Sequence, residues 1–535
     1  MHITRVHIEG YRRLASFDLE LNESVNVIVG DNETGKSSVL EAINLVLTRR
    51  FEGRNIDYSI DPYLFNAEMV ANYFETLRSG QNSDPPKILI EAFLSEKNDA
   101  TLAKLKGSNN TKNMDCPGVK LEIELDSDHV ESLKEYARDM SNPVVLPVEF
   151  YRCSWRSFAD NGVTIRNLPF RTRTIDTSLP RTHRGPNRYV TQLVDDALTE
   201  GQRLDLSLAY KRLRHGFTQE AGVQTINDHL ERQGNPATNK KLTVQIDLSS
   251  RSKWDSAITA HLDDLPFDCA GKGEQCRIQM RLAIADAELS QVLLIEEPEN
   301  HLSHSNLNIL MNDIERACTD RQIIVTTHST FVLNKLGIGN LRLLSHNGKV
   351  TALKDMTKDT RDYFMKLPGY DTLRLILSKQ CILVEGPSDD LIVQRVYKDK
   401  HNKLPLENGV DVISVGSLAF KRFLEIAKLL DLDVRVVTDN DGSLSSLKSK
   451  YSDYMDGSTP KIRFFFGKDE NCETLEPQLL KVNSLSTLNL ILEKKYESDD
   501  DLLKFMDNNK TNCALKMFET EHSWNAPGYI EDAVK

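Results

Sequence analysis

The chain has 535 residues, of which 39% are apolar and 27% charged; at roughly 100–200 residues per domain, that length predicts two to four domains. With 67 Lys+Arg against 79 Asp+Glu the formal net charge is −12, which excludes a globally basic coat for nucleic acid while leaving room for a local basic groove. No apolar run reaches the roughly 18 residues of a membrane span, and the opening MHITRVHIEGYRRL lacks the apolar stretch of a secretory signal. The eight cysteines (116, 153, 269, 276, 318, 381, 472 and 513) form no CxxC pair, so the expectation is a cytoplasmic chain with reduced thiols and neither a zinc site nor a disulfide framework.

ITRVHIEGYRRLASFDLEL alternates like a hairpin, and VNVIVG reads as a buried strand. A glycine-bearing loop follows, and then SSVLEAINLVL at helical spacing. From about 55 to 190 the pattern weakens, although KILIEAFL and PVVLPVEFYRCSW read as strands and residues 79–87 and 107–118 as polar loops. TQLVDDALTEG and DLSLAYKRLRHGF have helical periodicity, which predicts an inserted helical region at about 190–240. Beyond 265, VLLIEEP reads as a strand, SNLNILMNDIERACTD as a helix, QIIVTTHS as a strand and RLLSHNGKVTAL as a hairpin. Residues 351–380 read as charged linker helices. CILVEGPSDDLIVQRVY then opens a second strand–turn–helix unit, continued by DVISV, FKRFLEIAKLLDL, VRVVTDNDG and KIRFFFG. Alternation of this kind predicts an α/β chain with mostly parallel sheets.

The segment Gly30-Asp31-Asn32-Glu33-Thr34-Gly35-Lys36-Ser37 fits GxxxxGK[ST] between a strand and a helix, the context in which backbone N–H groups cradle phosphates. Lys36 would reach the terminal phosphates and Ser37, with Ser38 beside it, would lie on the Mg²⁺ side of an ATP. Val292–Ile295 is a strand ending in Glu296-Glu297-Pro298, and acids at the C-terminal edge of a parallel strand face the ligand crevice. Glu296 would hold the metal, and Glu297 would polarise water as general base. Thr326-Thr327-His328-Ser329 follows the next strand and places His328 to contact the γ-phosphate. Gly271, Gly273 and Gln275, at a helix start, could reach a nucleotide held by a second subunit; a plain helix-capping turn is an equal alternative.

These features resemble ATP-binding-cassette ATPases of the RecF/SMC kind over residues 1–350. The resemblance implies ATP sandwiched between two cassettes, hence a homodimer or higher homo-oligomer, with Asn300, His301 and Leu302 in the dimer-facing loop. The metal-side acid is Glu296 where most cassettes carry Asp.

A second centre is acidic. Glu385-Gly386 ends a strand and Pro387-Ser388-Asp389-Asp390 opens a helix; Asp439-Asn440-Asp441-Gly442 ends another strand about 50 residues later. Carboxylates gathered there would repel one another without a divalent ion, and hard oxygen donors suit Mg²⁺ or Mn²⁺. An EF-hand loop would need Glu where Lys448 stands. The order resembles the Toprim domain, with Glu385 as its first acid, Asp439 and Asp441 as its DxD, and Asp389 in the EGxSD form of the nuclease members. Glu476 is a further acid, and Lys510 could offset charge at the scissile phosphate.

An ATPase followed by Toprim resembles the OLD (overcoming lysogenization defect) family of ATP-dependent endonucleases, with Toprim and C-terminal helices at 381–535. That resemblance implies two-metal cleavage of DNA under ATP control. It also implies anti-phage defence of the Gabija or retron-associated kind, with a helicase-like protein, or a reverse transcriptase with its msDNA, as partner. The nuclease residues carry over onto Glu385, Asp389, Asp439, Asp441, Glu476 and Lys510. Other readings stand beside it: a RecF/SMC-like DNA-repair clamp that no longer cuts, and a strand-passing or primase Toprim enzyme. Residues 166–188 hold six arginines and one acid, a composition suited to phosphates. Residues 381–535 carry 20 Lys+Arg against 27 Asp+Glu, a balance of −7, so the positive groove for DNA is expected elsewhere.

Overall fold

The architecture comes from a computed structural model that describes all residues except 53, 82, 96–99, 140–144, 166–167, 169–170, 177–197, 218, 234–260, 286–290, 318–320, 346–347, 354–355, 368–370, 417–418 and 458. The arginine-rich stretch 166–188 therefore lies mostly outside the described residues, as do the two ends of the expected helical insertion.

Strands β1 (Ile3–Tyr11) and β2 (Leu14–Glu20) form the antiparallel hairpin that their alternation predicts, with Ile8 opposite Phe17 and Val6 opposite Leu19. Strand β3 (Val25–Gly30) leaves that sheet, and helix α1 (Lys36–Thr48) follows it. Helix α2 (Ala67–Arg78) precedes β4 (Ile88–Leu94), β5 (Cys116–Leu125) and β6 (Tyr151–Ser157), which complete an antiparallel sheet in the order β2-β1-β4-β5-β6. Two expectations shift here. The strand read from PVVLPVEFYRCSW begins only at Tyr151, because Pro147 has no N–H for a ladder and a 3₁₀ turn, Val148–Phe150, follows it. The loop read over 107–118 ends at Asp115.

The second sheet has the order β7-β8-β9-β3-β10-β11, from Thr172–Asp176, Val292–Glu296, Gln322–Thr326, β3, Leu341–Leu344 and Val350–Ala352. All its pairings are parallel except the last hairpin. Apolar residues on every side of α1 reflect its place between the two sheets: Val39, Leu40, Ala42, Ile43, Leu45, Val46 and Leu47 are all buried. Trp155 of β6 donates its indole N–H to the Val46 carbonyl at 2.8 Å. Helices α3 (Glu200–Phe217) and α4 (Ala221–Gln233) lie in the expected insertion. Helices α5 (Lys272–Ala285), α6 (His304–Ala317) and α7 (Thr330–Leu336) belong with the parallel strands.

Helices α8 (Lys358–Lys366) and α9 (Thr372–Leu377) form the connector. The third sheet is wholly parallel, β13-β12-β14-β15, from Val410–Ser414, Gln380–Val384, Asp433–Val437 and Ile462–Phe465. Helix α10 (Pro387–His401) follows β12, and α11 (Phe420–Leu430) follows β13. Helices α12 (Leu475–Val482), α13 (Lys510–Glu519) and α14 (Gly528–Ala533) cover the other side.

One apolar core runs from the second sheet through α7, α8, α9 and α11 into the third, taking in Ile323, Leu333, Phe364, Leu375 and Phe423. Polar pairs pin the same junction. Thr372 donates to Asn334 Oδ1 at 2.7 Å with both residues fully buried. Arg374 is paired with Asp411 of β13, and Arg422 of α11 with Asp359 of α8 at 2.8 Å.

Candidate nucleotide and carboxylate sites

β3 delivers the phosphate loop from the middle of the parallel sheet. Gly35 sits at φ 97°, in the left-handed region that favours glycine, and turns the chain into α1. Lys36 is buried; its Nζ donates to the carbonyls of Gly30 at 2.9 Å and Asp31 at 2.8 Å. Burial lowers its pKa, against the pull of Glu297, Asp31 and Glu296. Asn32, Gly35, Lys36, Ser37 and Ser38 line a cavity of about 1340 Å³ together with Glu297 and His328. Arg12, Arg13, Phe51 and Tyr63 also line it.

The acids arrive as the register dictates. Glu296 ends β8 opposite Thr326 of β9. Glu297 takes φ 43°, a strained conformation for a residue with a side chain. Its N–H donates to the Thr326 carbonyl, its Oε2 accepts from Asn300 at 2.7 Å, and its Oε1 lies 3.5 Å from His328 Nε2. Glu299 was not singled out from the sequence. Its Oε1 accepts from the Thr327 hydroxyl at 2.7 Å and the His328 N–H at 2.8 Å, tying the loop after β8 to the loop after β9. Burial raises its pKa, against the Thr327 hydrogen bond. The third acid in the run Glu296-Glu297-Pro298-Glu299 was the available signal.

At the start of α5 the candidates separate. Gln275 is buried and donates to the carbonyls of Phe267 at 2.8 Å and Ala270 at 2.9 Å, so it holds the helix start of its own chain. Gly273 allows the His301 carbonyl to approach; a Cβ there would stand 2.6 Å from that oxygen. Gly271 has open space where a Cβ would go.

In the third sheet, β12 and β14 are parallel neighbours with Leu383 opposite Val436, so Glu385 and Asp439 emerge at the same edge. Glu385 Oε1 accepts from the Thr438 hydroxyl at 2.5 Å and the Asp439 N–H at 3.2 Å. Asp389, in the first turn of α10, reaches back to the Gly386 N–H at 3.1 Å. Glu476, almost fully buried, pairs with Lys510 Nζ at 3.1 Å. Burial and then Glu385 raise Asp389 to about 7. Burial, followed by Asp389, Glu385 and Glu476, pushes Asp439 up to about 8, against Lys510. Lys510 is raised: burial lowers it, but contact with Glu476 outweighs that.

Asp441 is placed differently. It is exposed at φ 50° on the rim, where it and Glu385 both act on Tyr451. Between the two aspartates, Asn440 is buried and donates to the carbonyls of Gly467, Asp469 and Cys472, fixing the loop.

Glu385, Asp389, Asp439 and Glu476 are hard oxygen donors with one cation among them, a set whose surplus charge suits a divalent ion. Their arrangement is more open than a ligand shell: among the described residues no group of three or more His, Cys, Asp or Glu is placed to hold a metal ion.

Comparison with known proteins agrees with the two units. An AAA ATPase domain model matches residues 1–161, and an AAA domain model of the AbiEii toxin kind matches 255–334. The TOPRIM domain of overcoming lysogenization defect protein-like sequences matches 376–441. The uncharacterized protein YbjD of Escherichia coli K12 is 22% identical over 82% of this chain and 80% of its own length. RecF, the DNA replication and repair protein of Shewanella loihica, is 46% identical over 43 residues, 8% of this chain and 12% of that protein. The C-terminal region of the Xanthomonas campestris pv. campestris OLD protein aligns over 30% of this chain and 92% of its own, at 20% identity and a TM-score of 0.25. A RecF–ATP structure aligns over 66% of this chain and 99% of its own, at 14% identity and a TM-score of 0.33. Among the described residues no helix is long and apolar enough to cross a membrane. The chain thus carries an AAA-type ATPase domain ahead of an OLD-like TOPRIM domain.

Proposed function

We propose that the chain is an ATP-regulated, divalent-metal-dependent DNA endonuclease, with its ATPase in 1–350, a linker in 351–380 and the nuclease in 381–535. The observation that carries this reading is the convergence of Glu385, Asp389, Asp439, Glu476 and Lys510 at one edge of a parallel sheet. Mg²⁺ or Mn²⁺, when bound, supplies charge neutralisation and Lewis acidity at a scissile phosphate. Glu385, Asp389, Asp439 and Glu476 are the residues that would hold it, with Asp441 at the rim.

The protein's own groups set the conditions. Thr438 and the Asp439 N–H fix one oxygen of Glu385. Asp389 and Asp439 retain protons near neutral pH and must release them to become ligands. Lys510 offsets negative charge at the phosphate, the role that an anchored cation fills in a largely desolvated site.

On the ATPase side, the loop N–H groups and Lys36 would hold the phosphates, with Ser37 and Glu296 on the metal side and Glu297 and His328 across the cavity. The open flank of Gly271 suits contact with a second copy, hence a homodimer. The continuous core and the Asn334–Thr372 and Arg374–Asp411 pairs support coupling between the units, because a nucleotide that favours one arrangement of the first sheet shifts the second with it. DNA is the substrate in this reading, and anti-phage defence is the biological setting that the domain pair suggests.

The test is cleavage of supercoiled plasmid by the full chain with Mg²⁺ or Mn²⁺, with and without ATP. Nicked or linear product is expected, and Glu385→Ala should abolish it while ATP binding persists. Equal cutting by Glu385→Ala overturns the assignment, and relaxation without nicks favours a strand-passing enzyme.

A further inference from the structure

The turn after β8 is strained at two places. Glu297 and His301 take left-handed φ values of 43° and 62°. Residues with side chains keep such angles where surrounding contacts fix them. Asn300 supplies one fastening: its N–H donates to the Glu297 carbonyl at 3.0 Å and its side-chain amide to Glu297 Oε2 at 2.7 Å. Glu299 supplies another, and it reaches a different strand end.

Glu299 Oε1 accepts from the Thr327 hydroxyl at 2.7 Å and from the His328 N–H at 2.8 Å. Thr327 is fully buried. Its oxygen also accepts from the Ser329 N–H at 2.9 Å, and its own N–H donates to the Ile28 carbonyl of β3 at 3.2 Å. One carboxylate oxygen therefore ties together the ends of β8, β9 and β3, the strands that carry Glu296, His328 and the phosphate loop. Glu299 is not among the residues that line the nucleotide cavity, and its Oε2 is buried. Glu297 and His328 do line it, with Oε1 and Nε2 3.5 Å apart.

We propose that Glu299 is a positioning residue for ATP hydrolysis, which sets His328 against Glu297 at the phosphate end of the cavity. The inference deepens the ATPase reading and rests on it. Glu299 holds the backbone of His328 while its neighbour Asn300 holds the carboxylate of Glu297, so adjacent residues of one turn decide how the two side chains face each other. An acceptor oxygen with two lone pairs can take both the hydroxyl and the N–H. Misplacing reacting groups by about 1 Å can cost about 100-fold in rate. Lys36 is held by the Gly30 and Asp31 carbonyls, outside this tie, so nucleotide binding should be spared.

The test compares Glu299→Leu, which keeps the bulk and loses the acceptor, with Glu299→Gln, which keeps an acceptor oxygen, both in the full chain. Phosphate release is measured against ATP concentration, affinity is read with a fluorescent ATP analogue, and folding is checked by thermal melting. In Glu299→Leu kcat should fall about tenfold or more, with KM and analogue affinity close to the parent. Glu299→Gln should turn over closer to the parent than to Glu299→Leu. Thr327→Val, which removes the hydroxyl from the other side of the bond, should lower kcat in the same way, and it carries the comparison if Glu299→Leu does not fold.

Parent-like kcat in the folded variants that lack the bond overturns the proposal. So does a loss of analogue affinity that matches the loss of kcat, which would make Glu299 a prop of the whole loop, and so does a Glu299→Gln as slow as Glu299→Leu. A parent that hydrolyses no ATP ends the ATPase reading and this proposal with it; the other adverse results leave that reading standing.

Discussion

Asp439→Asn should stabilise the metal-free protein at neutral and alkaline pH, although it removes a residue proposed to hold the metal. Folding moves Asp439 from an ordinary 3.8 to about 8, because burial and then Asp389, Glu385 and Glu476 oppose its charge. For an acid raised in this way, stability is full below the unfolded pKa and is lost as pH rises through the folded one. At pH 7 the gap is about 3 pKa units, a ceiling of about 4 kcal/mol. Asparagine escapes that penalty because it has no charge to bury. At roughly 2–4 °C per kcal/mol for a unit of 150–250 residues, the variant should melt several degrees higher. The assay is thermal melting in a chelator at pH 5, 7 and 8, repeated with Mg²⁺. The advantage should be small at pH 5, grow to pH 8 and shrink or reverse with metal, because the parent gains a counter-charge that the variant cannot use. A variant that melts below the parent at every pH, or a difference that does not change with pH, refutes the reasoning.

Lys36→Ala removes the buried cation of the phosphate loop and its bonds to the Gly30 and Asp31 carbonyls; affinity for a fluorescent ATP analogue should fall at least about tenfold, as loss of about 1.4 kcal/mol or more implies. Gly273→Ala sets a methyl against the His301 carbonyl, next to the Asn300 that holds Glu297. Phosphate release from ATP should slow several-fold in that variant while nucleotide binding is retained, as read in parallel turnover and binding assays. Thr372→Val deprives buried Asn334 of the threonine hydroxyl; denaturant unfolding should show a loss of about 1–3 kcal/mol with ATP affinity unchanged.

The parts of the site carried by local motifs were legible in the sequence. Gly30 to Ser37 and the strand ends at Glu385 and Asp439 sit where a strand stops and a ligand-facing loop begins, and strand and loop patterns report that directly. Parallel pairing was legible for the second and third sheets because their strands alternate with helices. The antiparallel sheet was not: β1, β4, β5 and β6 are far apart along the chain, and their pairing is decided by the apolar face they share over α1. Gln275 looked available for a phosphate in a glycine-rich loop, but burial turns its amide to the Phe267 and Ala270 carbonyls. Asp441 was read as an equal of Asp439, yet the turn between them, pinned by Asn440, sends one inward and leaves the other at the rim. Glu299 depends on contacts with a distant chain segment that no local spacing encodes.

The central claim is that the acids at the edge of the third sheet share a divalent ion. Anomalous scattering from crystals of the full chain grown with Mn²⁺ tests it most directly. Manganese peaks ligated by Glu385, Asp389 and Asp439 are expected, with those side chains drawn closer together than they stand here. Manganese bound only elsewhere, with the three carboxylates unligated, would contradict it.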